Sequence, residues 1–398
     1  MVREYKDSGI TWIGRIPKDW NTTKLGSLYT QRNEKVSDKD YAPLSVTMQG
    51  ILPQLETAAK TDDGDNRKLV KKGDFAINSR SDRRGSCGIS PYDGSVSLIN
   101  TILKPRGEMN PNFYNWLFHT SPFADEFYKW GHGIVDDLWT TRWQEMKNIS
   151  VVIPSLEEQQ HIADYLDKKC AEIDGLIELQ EQMIAQLSDY KQSVITEAVT
   201  KGINPDAQLV PSGIDRIGDV PEEWKICQLK RFLLFQNGQD YKEIEVKEGD
   251  GFPVYGSGGI FTYAERYMYD GESVLFGRKG TVNRPLYVNC KFWTVDTMYY
   301  TIPKKDVNCK FMYYVATTLP FDKYSTSTAL PSMTQTILGN LKVAIPPKDE
   351  QSVIVEYLDK KCGEIDNLIA VKQQKIETLK EYKKSIIFEC VTGKKEIN

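Results

Sequence analysis

The chain has 398 residues, 40% hydrophobic and 27% charged, with a formal net charge of -4 and a pI near 5.7. That composition is globular, the length exceeds what one core needs, and the acidic balance requires any polyanion-binding surface to be local or completed by a partner. The opening MVREYKDSGITW has no apolar h-region and no run of about 18 apolar residues occurs, so the chain is expected in the cytoplasm, neither exported nor membrane-spanning.

The first informative stretch is IGRIPKDW, Ile13 to Trp20, which returns 204 residues later as IGDVPEEW, Ile217 to Trp224. Each copy keeps glycine, proline and tryptophan in register, with a leucine (Leu25 or Leu229) five residues on. Gly14 allows an unusual backbone angle, Pro17 fixes one, and Trp20 is the first large core side chain, so each octapeptide reads as a turn into a domain.

After each octapeptide come short alternating apolar runs such as DFAINSR, SVSLINTIL and SVLFGRKG, bounded by Gly, Asn and Asp, which predict strands with tight turns. The stretches from Met109 and from Asn308 predict a helix with an aromatic face. KNISVVIPSLEEQ and GNLKVAIPPKDEQ then close both regions in the same way, with acidic residues at the positive end of the next helix. Arg67, Lys68, Lys71, Lys72, Arg80, Arg83 and Arg84 stand against only Asp74 and Asp82, a net of +5, and Arg278 to Lys291 holds four basic residues and no acidic one. Both clusters fall in turns beside a strand, NSRSDRRGSCG (with Ser79) and FGRKGTVNRP. Such turns suit DNA-contacting side chains, although a charge run is equally what a solvated face produces. Arg142 in GIVDDLWTTRWQEM, and Ser325, Ser327, Thr328 and Gln335 in STSTALPSMTQTILGN, occupy one slot before the closing strand. They are candidates for a groove or its phosphates, or simply turn caps.

The second repeat is longer. The 45 residues from Glu158 align without a gap on those from Glu350 at an offset of 192, with identical YLDKKC and EID blocks. Both predict a long helix; the first runs from about Asp164 to Thr200, roughly 37 residues and about 55 Å, a spacer between the two variable regions. Ile173, Leu176, Gln180, Met183, Leu187, Tyr190 and Val194 recur at spacings of three and four, matched by Ile365, Leu368, Lys372, Lys375, Leu379, Tyr382 and Ile386; Ile177 and Ile184 widen the stripe. Presenting the same surface twice predicts that the two helices pair antiparallel. The resulting order is a recognition region (1–155), a spacer helix (156–202), a linker with a second region (203–347) and a second helix (348–398), an α+β fold with an internal pseudo-twofold repeat.

No catalytic constellation can be assembled: GxxxxGK[ST], GxGxxG and HExxH are missing, and VYGSGG reads as a glycine-rich hairpin. Seven cysteines without a CxxC pair read as reduced thiols, and His119, His132 and His161 are scattered, so no metal or cofactor is expected.

The paired octapeptides, the paired helix openings Pro154 to Gln159 and Pro346 to Gln351, and the duplicated YLDKKC..EID helices together resemble the DNA specificity subunits of type I restriction-modification systems, over essentially the whole chain. The resemblance implies a non-catalytic subunit that binds double-stranded DNA. Each variable region would be a target-recognition domain for one half of a split sequence, and the helices would set the gap. It also implies two methyltransferase subunits and two ATP-dependent restriction subunits as partners. The two regions are unlike between their shared ends, which implies a target that is not palindromic. A freestanding DNA-binding or architectural protein, a methyltransferase in its own right, and a scaffold for other proteins, favoured if no duplex binding is seen at low salt, are the competing readings. Stable association with a methyltransferase, and binding of a methyl donor, separate the first two of these from the subunit reading.

Overall fold

A computed structural model describes residues 3–54, 64–133, 139–324 and 331–397. The chain forms two compact units, residues 1–180 with 374–398 and residues 181–373. Each unit therefore takes one half of each long helix.

In the first unit, Arg15–Pro17 pairs with Tyr5–Asp7, and Asn21–Lys24 pairs antiparallel with the closing strand Ser150–Ile153. Between them lie a four-stranded sheet (Cys87–Ile89, Phe75–Asn78, Asn100–Pro105, Tyr29–Arg32 in spatial order) and a three-stranded one (Gly94–Val96, Arg67–Val70, Lys35–Val36). The aromatic segment is two helices, Pro111–Phe118 and Ser121–Lys129, because Pro122 at a first-turn position and the Thr120 cap restart it. Phe113, Tyr114, Phe118, Phe123 and Phe127 are all fully buried there.

The second unit repeats the frame around a different interior. Asp219–Pro221 pairs with Leu209–Pro211, and Lys225–Gln228 with Lys342–Ile345. The interior is one seven-stranded sheet in which Leu233–Asn237, Met298–Pro303, Tyr269–Gly277 and Leu286–Thr294 are successive neighbours. Cys309–Thr317 is the aromatic helix, and a shorter one, Phe321–Tyr324, follows Pro320.

The repeated octapeptide fits the repeated helix opening. Trp20 is 1% exposed, its ring meets Phe113 edge-on, and its Nε1 donates to Glu158 Oε2 at 2.7 Å. Trp224 Nε1 likewise donates to Glu350 Oε2 at 3.1 Å. The next residue in each opening is a buried glutamine. Gln159 accepts from the Asn110 N–H at 2.9 Å and donates to the Pro154 carbonyl at 3.0 Å; Gln351 does the same with Asn308 at 2.7 Å and Pro346 at 3.0 Å. Asn110 and Asn308 are in turn the caps of the aromatic helices. One Glu-Gln pair thus ties the octapeptide, the long helix and the aromatic helix together. A glycine at a helix end completes each joint. Gly393, at φ +71°, ends the second long helix so close to the first octapeptide that a Cβ would lie 2.4 Å from Pro17 and 3.0 Å from Trp20; Gly202, at φ +76°, ends the first helix against Trp224.

The first long helix runs Leu156–Lys201, 46 residues, and the second Lys348–Val391, 44 residues. The first is longer than the roughly 37 residues expected, because the helix begins at Leu156, two residues after Pro154, rather than near Asp164. The two pack together within each unit. Ile162, Leu166, Cys170 and Ile173 share a core with Ile386, Cys390 and Val391 in the first unit, and Val194 and Ala198 share one with Ile354, Leu358 and Cys362 in the second. Lys383 bridges Asp174 at 2.6 Å in the first unit and Lys191 bridges Asp366 at 2.7 Å in the second, the same pair of positions. The packed line differs from the expected seam. Ile173, Gln180, Val194, Ile365, Ile376 and Ile386 are buried, and Ile177, Ile184, Leu187, Lys191, Ile369, Leu379 and Lys383 are half-buried. Leu176, Met183, Tyr190, Leu368 and Tyr382 are exposed by 37–57%, and Lys375 is exposed as well. The heptad anchors stand where the sequence puts them, but the second residue of each heptad is one position later, at a spacing of four then three. A one-residue step rotates a side chain by about 100°, which moves that apolar row out of the joint. Among the described residues no helix is long and apolar enough to cross a membrane.

Candidate nucleic-acid interface

The two unlike interiors converge on one backbone arrangement at one sheet end. In the first unit the Ser79 N–H donates to the Ile99 carbonyl at 3.3 Å, the Thr141 N–H donates to the Ser79 carbonyl at 3.0 Å, and Arg80 bridges Thr140. In the second the Arg278 N–H donates to the Thr297 carbonyl at 2.8 Å, the Met333 N–H donates to the Arg278 carbonyl at 2.9 Å, and Lys279 bridges Ser332. Ser79 therefore corresponds to Arg278 and Arg80 to Lys279. Next to each bridge a short helix begins, Trp143–Met146 after Arg142 and Gln335–Asn340 after Thr334. Three segments meet in both units: the basic turn, the turn entering the following strand (Ser97 to Asn100, or Val295 to Met298), and the helix start.

The side chains on this frame differ at nearly every position. Leu98 and Ile99, 39% and 40% exposed, stand where the second unit has Asp296 and Thr297. Arg278 lies 6.0 Å over the Tyr299 ring and donates to the Asp296 carbonyl at 3.3 Å. Lys279 and Arg284 are exposed. Gln335 donates to Asn237 Oδ1 at 3.1 Å, which joins the helix start to the first strand of the sheet. Ser325, Ser327 and Thr328 lie outside the described residues, as do Asp136 and Asp137.

The seven basic residues of the first cluster fall into three groups. Arg67 is 4% exposed and donates to Ser95 Oγ at 2.8 Å and to the Ser95 carbonyl at 3.1 Å; Lys68 donates to the Asn100 carbonyl at 2.6 Å. Burial lowers the pKa of both. These two brace the sheet from inside, and their charge is spent on backbone and hydroxyl acceptors. Lys71 and Lys72 sit in the turn before Phe75–Asn78, at the opposite end of that strand from Arg80. There Lys71 pairs with Asp93 at 3.1 Å and the Lys72 N–H donates to Asp93 Oδ1 at 2.8 Å. Arg80, Arg83 and Arg84 stay at the frame described above. Arg83 is near Asp82 at 3.6 Å, while Arg84 pairs with Asp125 at 2.9 Å and stacks 5.2 Å over Tyr128. Ser79, 3% exposed, shares a hydrogen bond with Thr101 at 2.9 Å. Arg142 starts a short helix, its N–H donating to Glu145 Oε2 at 3.1 Å. Leu98, Ile99 and Thr334 also stand on this frame; Thr334 lies in the STSTALPSMTQTILGN segment already singled out, whereas Leu98 and Ile99 read in the sequence only as part of an apolar strand run.

Among the described residues no group of three or more His, Cys, Asp or Glu is placed to hold a metal ion. All seven cysteines are free; burial pushes Cys87, Cys309 and Cys390 up to about 12, which keeps them as inert thiols.

The family model for the type I restriction modification DNA specificity domain matches residues 17–188 and 221–381. The putative type I restriction enzyme MjaX specificity subunit of Methanocaldococcus jannaschii is 24% identical, over 99% of this chain and 98% of that protein. The MjaVIII specificity subunit of the same organism is also 24% identical, over 96% and 94%. Among solved structures, a chain from a study of complex assembly and conformational transition of the type I R-M system superposes with a TM-score of 0.74 at 15% identity, covering 94% of this chain and 98% of that one. The HsdS subunit from Thermoanaerobacter tengcongensis gives 0.51 at 17% identity, covering 95% and 98%.

Proposed function

Because the chain belongs to the type I restriction modification DNA specificity family, in which it is the non-catalytic, DNA-specifying subunit, we propose that each unit reads one half of a split, asymmetric target. Residues 1–155 and 203–347 are the recognition regions, the long helices set the gap between half-sites, and two methyltransferase subunits with two ATP-dependent restriction subunits complete the assembly in the cytoplasm. The observation that carries this reading is the shared hydrogen-bonded frame at Arg80 and Lys279 with unlike side chains around it. A common frame presents both sets of side chains to a duplex in the same way, and the different residues give each set a different base preference. Arg80, Arg83, Lys279 and Arg284 supply phosphate or base contacts there, whereas Arg67 and Lys68 act through the fold.

The test replaces residues 225 to 345 with the matching region of another such subunit and sequences the DNA methylated by the assembled enzyme. One half-site changes and the other does not. Altered bases in both halves overturn the modular reading.

A further inference from the structure

Both units carry a hairpin beside the basic turn, and the two tips share a backbone feature. In the first unit Leu44–Thr47 pairs with Gly50–Pro53; in the second Phe252–Gly256 pairs with Gly259–Ala264. Each second strand begins on a left-handed glycine, Gly50 at φ +101° and Gly259 at +108°. Each hairpin also starts parallel to the strand that leads into the Ser97 or Val295 turn. Pro43 bridges Ser95 in the first unit, and Val254 and Tyr255 pair with Trp293 and Thr294 in the second. Parallel travel sends both tips to the sheet end that holds Arg80 or Lys279.

The first tip is built to present side chains. Met48 is 72% exposed, and Gln49 beside it is exposed too. A lone exposed methionine would mean little, but this turn is pinned. Thr47 Oγ1 accepts from the Gln49 N–H at 3.1 Å and donates to the Gly50 carbonyl at 2.9 Å. The hairpin also lies hard against the strand that leaves the basic turn: a Cβ on Gly88 would be 2.9 Å from the Gly50 Cα. Gly88 comes two residues after Ser86, whose carbonyl accepts from the Asn78 N–H where the arginine turn closes. The backbone that carries an apolar side chain and an amide is thus pinned against the strand that leaves the arginine turn. Positive charge on that turn suits a polyanion.

We infer that the Met48–Gln49 tip reads bases of the first half-site, a reading that rests on the proposed function above. A glutamine amide can bond N6 and N7 of adenine together, and a methionine offers apolar contact to a thymine methyl. The corresponding tip of the second unit, Ser257–Gly258, has neither group. It allows close backbone approach and leaves base reading in that unit to side chains such as Lys279 and Gln335. The two half-sites are therefore read by different parts of one frame.

The experiment assembles the full chain with its methyltransferase, supplies a randomised DNA library and sequences the methylated products for wild type, Gln49→Ala, Gln49→Glu and Ser257→Ala. Gln49→Ala should relax one position of one half-site, with discrimination falling roughly 5- to 100-fold, the size of one bidentate base contact. Gln49→Glu, which only accepts, should move that position toward cytosine. Ser257→Ala should leave both half-sites unchanged. Wild-type preference at every position in both Gln49 variants overturns the inference, as does an equal loss on all sequences, which would make the tip a phosphate contact. A wild-type assembly with no sequence preference overturns the underlying function and this inference with it.

Discussion

Glu158 and Glu350 occupy the same position in the two units and accept from the same tryptophan nitrogen, yet their surroundings differ. In the first unit Arg3 donates to Glu158 at 2.6 Å and its guanidinium stands 5.7 Å over the Trp20 ring. In the second, the residue 204 positions after Arg3 is Ala207, and no arginine is there. Burial raises the Glu350 pKa, only partly offset by the Trp224 hydrogen bond, with Glu223 adding repulsion. The joint thus needs the tryptophan–glutamate bond, and the guanidinium is an addition in one unit. The sheet end shows the same division, since a common set of backbone hydrogen bonds holds Arg80 and Lys279 while everything around them is free to differ. Duplication retains what positions the parts.

The largest expected effect comes from breaking the equivalence of the exposed helix rows. Leu176 and Leu179 (45% and 47% exposed) and their counterparts Leu368 and Val371 (52% and 66%) cover neither core. If each row holds one methyltransferase subunit, Leu176→Asp with Leu179→Asp should cut the bound methyltransferase from two copies to one per chain. The change should leave the fold intact, because neither residue is in the packed line. Native mass spectrometry of the complex reads the stoichiometry, and two copies retained would place the docking surface elsewhere.

A smaller effect should have opposite signs in the two units. Glu158→Gln removes the closer of the two carboxylates on the half-buried Arg3, leaving only Asp19 at 3.4 Å, and should cost about 1 kcal/mol. Glu350→Gln keeps an acceptor for Trp224 and removes a charge that burial disfavours. It should be neutral or stabilising by a few tenths of a kcal/mol, the figure being small because the group is largely solvated. The pH dependence follows the same sign. A carboxyl whose folded pKa lies above its ordinary 4.5 contributes most when protonated, so that contribution is lost as pH rises from about 4.5 through the raised value. Glu350→Gln should abolish that slope. Denaturant unfolding of the full chain across this range measures both; equal destabilisation by the two substitutions would show that the anchors do not differ energetically.

The smallest effect should be equal in the two units. Lys383→Ala and Lys191→Ala each remove one interhelix ion pair of the same geometry whose acid partner is exposed. Each should cost no more than about 1 kcal/mol, and less in high salt. A difference above about 1 kcal/mol between them, by the same unfolding measurement, would show that the two joints are not energetically alike.

The sequence by itself determined the frame. The octapeptides, the Glu-Gln openings and the duplicated helices were legible because a repeated joint demands the same residue types wherever it recurs: a glycine where φ is positive, a tryptophan to fill the joint, a carboxylate to take its N–H. The strands and the glycine-rich hairpin were legible from alternation and turn residues. Only the tertiary structure decided which apolar row of each helix faces its partner, since Leu176 and Ile177 are equally apolar neighbours and packing between distant segments chooses between them. The fate of the basic cluster was also hidden. Arg67 and Arg80 lie 13 residues apart in one charge run, but an intervening turn and strand bury the first against Ser95 and carry the second to the sheet end. Linear charge density records how many cations a segment holds. Strand pairing decides which of them meet an acceptor inside the protein and which are left facing solvent.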